Sequence, residues 1–166
     1  MPVRWTRHGR RDNIAGTMIK MPPPTMRNVD RLFERYGEFH RNPTNKAIHW
    51  VCVPLIVWSL LGMLWAASPI IACVAVVASM LFYLWLSLPL AVGMLGVVAL
   101  MIYPLTLLGS YALVVCAAVF VAAWIGQFIG HVVERRKPAF AEDIRSLLVG
   151  PAWLLGFAYK RFGIAY

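Results

Sequence analysis

A long hydrophobic block dominates the chain. No Asp, Glu, Lys or Arg occurs between Ala47 and Gly130. A helix needs about 20 apolar residues to cross the roughly 30 Å hydrocarbon core of a bilayer, and a charge at its centre costs about 2.5–3.5 kcal/mol. The length of the block therefore predicts about four membrane crossings.

Turn-forming residues divide this block into four segments. The dividing residues are Ser68-Pro69, Ser87-Leu88-Pro89 and Gly109-Ser110, and the segments run over about 47–67, 69–86, 90–108 and 111–130. Each segment is just long enough to span, and connections this short make successive helices antiparallel neighbours. We therefore expect an all-α, integral membrane four-helix bundle. An even number of crossings puts His49 and His131 at the same membrane face.

Shorter amphipathic helices are predicted on both sides of the block. Apolar residues recur at helical spacing over 28–40, which predicts a helix lying in the headgroup plane. Pro43 interrupts it, and a turn at 42–45 lets His40 converge with His49, whereas one continuous helix would place them on opposite faces. After the block, interfacial helices are expected at 139–149 and 152–162, divided at Gly150-Pro151 and anchored by Trp153 and Tyr159.

The fourth predicted span carries two stripes. Trp124, Gln127, His131 and Glu134 follow three- and four-residue spacing and share one face of the helix. Ala122, Gly126 and Gly130 form a ridge of small residues, which favours close approach of another helix.

Composition and charge indicate one membrane domain and its topology. The chain is 60% hydrophobic, and we assign residues 26–166 to a single membrane domain preceded by a disordered basic tail over 1–25. All 16 Lys and Arg lie outside the uncharged block, so the positive-inside rule places both termini in the cytoplasm. The membrane would be the inner or plasma membrane of a bacterium, or the endoplasmic reticulum of a eukaryote. The net charge of +9 also attracts anionic lipid, and no motif indicates nucleic-acid binding.

Four candidate ligands meet at one end of the predicted bundle: His40, His49, His131 and Glu134. Imidazole and carboxylate together suit first-row metals, and two His with one carboxylate form a recurring non-haem Fe(II) site. His131 and Glu134 are one helical turn apart, so both could reach one ion. The competing interpretation of each histidine is a hydrogen-bonded anchor at the interface. His8, in the tail, receives no role.

Two blocks of residues carry a family resemblance. The first is Tyr36-x3-His40-x-Asn42-x2-Asn45-Lys46-x2-His49-x4-Pro54, and the second is Trp124-x2-Gln127-Phe128-Ile129-Gly130-His131-x2-Glu134-x-Arg136-Lys137-Pro138-Ala139. Together they resemble the signature blocks of the Mpo-like membrane proteins, the 2-hydroxy fatty acid dioxygenases of Fe(II)-dependent α-oxidation. Family proteins often carry an acidic residue near the C-terminus, which 151–166 lacks.

The resemblance implies an activity and its partners. Fe(II) held by His40, His49 and His131, with Glu134 as a further ligand or supporting partner, would bind a long-chain 2-hydroxy fatty acid from the membrane lipid phase. O2 would be consumed, and cleavage between C1 and C2 would release an acid one carbon shorter. Zinc could replace iron in purified material. The candidate substrate-binding residues are Lys46, Arg136 and Lys137 for the carboxylate, and Asn42, Asn45 and Gln127 for hydrogen bonds to ligands or substrate.

Other functions remain open from the sequence. Two of the same histidines could ligate haem in a non-catalytic bundle, and a metal-binding or transporting bundle or a lipid-binding scaffold are further alternatives. Haem binding is disfavoured because the histidines lie at helix ends and not deep inside the bundle. Transport is disfavoured because it usually requires ionisable residues near the membrane midplane.

Overall fold

The computed structural model describes residues 26–166, and the regular structure in that range is helical throughout. The predicted basic tail, 1–25, lies outside the described residues. Six helices follow in order: α1 (Asn28–Glu38), α2 (Pro43–Ala67), α3 (Pro69–Leu86), α4 (Leu88–Thr106), α5 (Ala112–Glu134) and α6 (Ser146–Arg161). Two single 3₁₀ turns, Gly109–Tyr111 and Ala139–Ala141, precede α5 and α6.

Four of these helices are long and apolar enough to cross a membrane: α2, α3, α4, and α5 with its leading 3₁₀ turn. Each of the four predicted spans thus coincides with one of these helices, although α2 starts earlier and α5 ends later than predicted. Their outward faces carry large apolar side chains such as Ile70 and Leu100, each about three-quarters exposed. Side chains of this kind are stable in contact with lipid tails, so the chain forms an integral membrane bundle.

Small residues on α5 determine how closely α2 approaches it. A methyl group added to Gly126 would lie 2.6 Å from Cys52 Sγ, and one added to Gly130 would collide with the side chain of Asn45. The predicted packing ridge is thus confirmed at these two glycines. Its consequence is that the polar start of α2 lies directly on the histidine-bearing end of α5.

Helices α1 and α6 cover this same end of the bundle. The apolar residues of α1 are buried, and Phe33 and Tyr36 contact α6 where Gly156 and Gly150 leave room. The amphipathic pattern predicted over 28–40 is confirmed, but the helix ends at Glu38. Its apolar face is covered by protein rather than presented to the headgroup region.

The break between α1 and α2 covers residues 39–42 and so lies about three residues earlier than predicted. We expected a turn at 42–45, but α2 already begins at Pro43. Proline is favoured at the first helical position because the amide that it lacks would have no helical partner there. The Asn42 side chain caps the helix by accepting a hydrogen bond from the Thr44 amide at 2.8 Å.

The division of the C-terminal region was predicted wrongly. Helix α6 runs through Gly150-Pro151, and residues 139–145 form a 3₁₀ turn and further turns instead of a helix. An internal proline costs about 3 kcal/mol, but burial of the large apolar side chains Val149, Trp153 and Leu154 outweighs this at about 1.5–3 kcal/mol each. The predicted interfacial anchors lie within the fold: Trp153 is 7% exposed, and the Tyr159 hydroxyl donates to the Pro89 carbonyl.

Candidate metal centre

Three histidines from three different segments meet under α1 and α6. His40 lies in the connection after α1, His49 in the second turn of α2 and His131 near the end of α5. All three are buried, and one ring nitrogen of each lies within 4.8 Å of the others. The predicted convergence of these residues is therefore what the structure shows.

Hydrogen bonds determine which ring nitrogens carry protons in two of these histidines. His40 Nδ1 lies 2.7 Å from the Tyr36 carbonyl and His49 Nδ1 lies 3.0 Å from the Asn45 carbonyl. A carbonyl oxygen only accepts, so each Nδ1 must donate, and each neutral ring then presents a lone pair at Nε2. These two Nε2 atoms face each other at 2.8 Å.

Two facing lone pairs repel unless a cation lies beside them. A proton shared by the rings is disfavoured, because burial lowers the pKa of His40 to about 4. A metal ion would satisfy the same nitrogens. Imidazole nitrogens bind zinc, for example, at about 2.0–2.1 Å, so two nitrogens that hold one such ion must lie within about 4.2 Å of each other. The separation of the His40 and His49 Nε2 atoms meets this condition.

His131 completes a set of three donors. Its ring centroid lies 5.1 Å from that of His49 and 5.4 Å from that of His40. Its Nδ1 is buried and has no hydrogen-bond partner among the described residues. A buried nitrogen without a partner costs about 1–3 kcal/mol, so a bound ligand at this position would remove a penalty. Three neutral imidazoles are a donor set for first-row metals.

Glu134 lies beside the histidines and bonds to the protein backbone that carries them. Its two carboxylate oxygens accept from the amides of Arg41 and Asn42, both at 2.9 Å, and from Asn45 Nδ2 at 3.0 Å. These donors belong to the connection after His40 and to the first turn of α2. Glu134 thus ties the end of α5 to both segments that supply the other histidines.

Two aromatic side chains, Tyr36 and Trp153, pack against the histidine site. The Tyr36 ring stacks on His40 at a centroid distance of 4.3 Å, and Trp153 lies 5.5 Å from His40 and 5.3 Å from Tyr36. Trp153 was not predicted to belong to the site. The sequence shows only an aromatic residue within a weakly amphipathic segment, and such a pattern is equally typical of a membrane-surface anchor.

A small cavity of about 50 Å³ opens beside the three histidines. Among the predicted substrate-binding residues, only Gln127 lines it. Gln127 is buried, and its Oε1 has no partner among the residues that the structure describes. The remaining walls are mainly apolar or aromatic and include Val53, Trp124 and Phe140.

The other predicted substrate-binding residues have different surroundings. Asn42 and Asn45 are engaged in capping and in bonds to Glu134, as described above. Arg136 is exposed and donates to the Glu38 carbonyl, and Lys137 is exposed at the surface. Lys46 is half-buried and close enough for its charge to contribute to the lowered pKa of His40. None of these five lines the cavity. Asn42 and Asn45 bond to the candidate ligand Glu134, which is one of the two roles predicted for them, and steering of a carboxylate by the three cationic residues stays a prediction.

Comparison with known proteins identifies the family. A family model described as "2-hydroxy-palmitic acid dioxygenase Mpo1-like" matches residues 26–162. The chain belongs to the Mpo1-like family. It is also 32% identical over 130 residues to the 2-hydroxy-palmitic acid dioxygenase MPO1 of Saccharomyces cerevisiae, covering 72% of this chain and 73% of that relative. No solved structure matches.

Membership in the Mpo1-like family confirms the resemblance inferred from the two sequence blocks. The first block contains His40 and His49 on either side of the α2 start, and the second contains His131 and Glu134 at the α5 end. The structure brings both blocks together in one site.

A haem group does not fit this Mpo1-like site. Pockets for drug-sized ligands occupy about 300–1,000 Å³, and the cavity here is far smaller. The His40 and His49 nitrogens also face each other directly, which leaves no plane between them for a porphyrin.

Proposed function

We propose that this protein is an Fe(II)-dependent dioxygenase that cleaves the C1–C2 bond of long-chain 2-hydroxy fatty acids. The observation that supports this best is the set of three buried imidazoles, two of them with facing lone pairs, beside a cavity at one end of a membrane bundle. The name of the yeast relative supplies the substrate class, a 2-hydroxy fatty acid.

His40, His49 and His131 would hold the iron. Glu134 serves as a positioning residue, because its oxygens already accept three hydrogen bonds from the segments that carry His40 and His49. Bound Fe(II) would supply the one-electron chemistry that the reaction of an organic acid with O2 requires. Zinc is the expected contaminant of an imidazole-rich site in purified material.

The protein residues account for binding and for the exclusion of water. Tyr36 and Trp153 cover the histidines, so the reacting atoms lie in a dry environment. Gln127 provides a hydrogen-bonding side chain at the cavity wall and would orient the carboxyl and 2-hydroxyl groups of the substrate. Lys46 would contribute a positive potential near the entry side for the carboxylate.

The overall reaction balances with O2 as the only co-substrate. The C1–C2 bond breaks, C2 is oxidised from an alcohol to a carboxylic acid, and the carboxyl carbon leaves as carbon dioxide together with one water. O2 is reduced in the same step. The product is a fatty acid one carbon shorter, which remains in the membrane.

We also propose that the site faces the cytoplasm. Four crossings place the ends of the membrane domain on one side, and the cationic residues flank that side. The membrane would be the inner or plasma membrane in a bacterium and the endoplasmic reticulum in a eukaryote.

The direct test uses the full-length protein in lipid nanodiscs, loaded with Fe(II) without air. Addition of 2-hydroxypalmitate and O2 should give pentadecanoate by mass spectrometry, and ¹⁸O2 should label its new carboxyl group. His40→Ala, His49→Ala and His131→Ala should each lose metal and product, whereas the matched control His8→Ala should lose neither. Absence of product from the iron-loaded protein, together with tight binding of 2-hydroxypalmitate, would favour a lipid-binding scaffold instead.

A further inference from the structure

The cavity at the histidines is too small for the substrate proposed above. At about 50 Å³ it has room for an ion and a few water-sized groups, since one water needs about 10–15 Å³ of such space. The long alkyl tail of a 2-hydroxy fatty acid must therefore lie elsewhere. The structure contains an apolar groove directly beside this cavity.

This groove lies between α2, α4 and α6 and has a volume of about 200 Å³. It shares three wall residues with the histidine cavity: Val53, Val57 and Pro151. All of its lining side chains are aliphatic or aromatic, and none is charged. Each of the three helices supplies one well-buried residue to it, namely Val53 at 6%, Met94 at 2% and Leu154 at 6% exposure.

The groove leads away from the site into the membrane. On α2 it continues from Val53 to Val57, which is about 12 Å along the helix from His49 at 1.5 Å per residue. On α4, Met94, Val97 and Met101 follow one helix face, and α4 runs parallel to α2. Met101 is therefore at the end of the groove farthest from the histidines.

A second apolar cavity, of about 290 Å³, is a less suitable place for the tail. It lies near Gly62, Cys73 and Ile102 and shares no wall residue with the histidine cavity. Its first residue on α2, Leu61, is about 18 Å along the helix from His49. This cavity, the far cavity, is thus separate from the histidine site.

We propose that the groove between α2, α4 and α6 binds the alkyl tail of the 2-hydroxy fatty acid, and that Val97 and Met101 limit the tail length that is accepted. This inference rests on the proposed function, because it takes the head group of the substrate to lie at the histidines. Continuity with the site is the reason to assign the groove to substrate rather than to bulk lipid.

The test compares two neighbouring valines. Val97 lines the groove, whereas Val98 lines the far cavity. Val97→Trp fills the groove, and Val98→Trp places the same side chain in the far cavity. The iron-loaded variants in nanodiscs receive an equimolar mixture of 2-hydroxyoctanoate, 2-hydroxydodecanoate and 2-hydroxypalmitate, and the shortened products are measured by mass spectrometry.

Val97→Trp should lower the long-chain to short-chain product ratio on the order of tenfold, because the indole occupies space that only the long tail needs. Val98→Trp should leave the ratio unchanged. A shift in Val98→Trp alone would assign the tail to the far cavity, and equal profiles for both variants and the unaltered protein would refute the groove. If the unaltered protein forms no shortened product from any chain length, the proposed function fails instead.

A labelling experiment on the unaltered protein does not depend on the folding of any variant. A 2-hydroxypalmitate analogue with a diazirine at the end of its tail should label Val97 or Met101, with the labelled residue located by fragmentation in the mass spectrometer, and excess 2-hydroxypalmitate should prevent this. Labelling at Cys73 or Val76 of the far cavity would contradict the proposal. Equal labelling by a palmitate analogue, without competition by 2-hydroxypalmitate, would show that bulk lipid fills the groove.

Discussion

Replacement of Glu134 by Gln distinguishes a positioning residue from a metal ligand. In the structure, one carboxylate oxygen accepts from Arg41 N, and the other accepts from Asn42 N and Asn45 Nδ2. A glutamine can keep the second oxygen as an uncharged acceptor, but its amide group would then face the Arg41 amide donor. The substitution therefore removes one hydrogen bond, weakens two others and removes a negative charge from the start of α2.

The expected loss of stability follows from these contacts. A hydrogen bond to a charged group contributes about 1.5–3 kcal/mol. A carboxylate near a helix N-terminus adds about 0.3–1 kcal/mol, and more where it is partly buried. Glu134→Gln should therefore reduce the free energy of unfolding by about 2–4 kcal/mol. At about 2–4 °C per kcal/mol for a chain of this size, the melting temperature should fall by about 5–15 °C.

The decisive measurement is thermal unfolding of the metal-free protein. A positioning residue stabilises the protein without metal, whereas removal of a ligand that serves only the metal leaves the metal-free protein unchanged. Glu142→Gln is the matched control, because Glu142 is exposed and forms only a surface ion pair with Arg35 at 3.7 Å, which contributes at most about 1 kcal/mol. The positioning role is refuted if Glu134→Gln abolishes iron binding while its metal-free melting temperature equals that of the Glu142→Gln control.

Three further predictions follow from other contacts. Gly126→Ala should lower the free energy of unfolding by about 1–3 kcal/mol, because the added methyl group meets Cys52 Sγ at 2.6 Å. Gly96→Ala, with open space around it, should be neutral or stabilising by up to about 1 kcal/mol, and the melting temperatures of both variants test this. Gln127→Leu should retain iron by metal analysis yet raise the KM for 2-hydroxypalmitate, and metal loss as severe as in the histidine variants would instead make Gln127 structural. In a cysteine-free background, a membrane-impermeant thiol reagent should label Glu142→Cys from the cytoplasmic side and Ser110→Cys from the opposite side. Labelling of both from one side would show that α5 does not cross the membrane.

The sequence predicts the spans well because their cause is local. Exclusion of charge from the hydrocarbon core acts on each residue separately, so the uncharged stretch between Ala47 and Gly130 is visible without knowledge of any contact. Short connections then determine the antiparallel order. The meeting of His40, His49 and His131 follows from these two facts and from the break before Pro43, and for this reason it could be predicted.

The errors arise where a long-range contact outweighs a local preference. Gly150-Pro151 favours a break locally, but burial of α6 against α1 and α4 keeps the helix continuous. The short helix α1 has an amphipathic pattern typical of a membrane surface, yet its apolar face packs on α6. Periodicity identifies a face that must be buried and does not identify what buries it.

The sequence by itself determined the class of protein, the number of spans and the three histidines that share one end, because hydropathy and topology depend on composition along the chain. The tertiary structure decided the roles around the histidines. Only the folded contacts show that Glu134 bonds to Arg41, Asn42 and Asn45, that Trp153 covers His40, and that the groove beside Val53 continues from the site. These features depend on side chains distant in sequence meeting at a few ångströms, and no local pattern along the chain encodes such a distance.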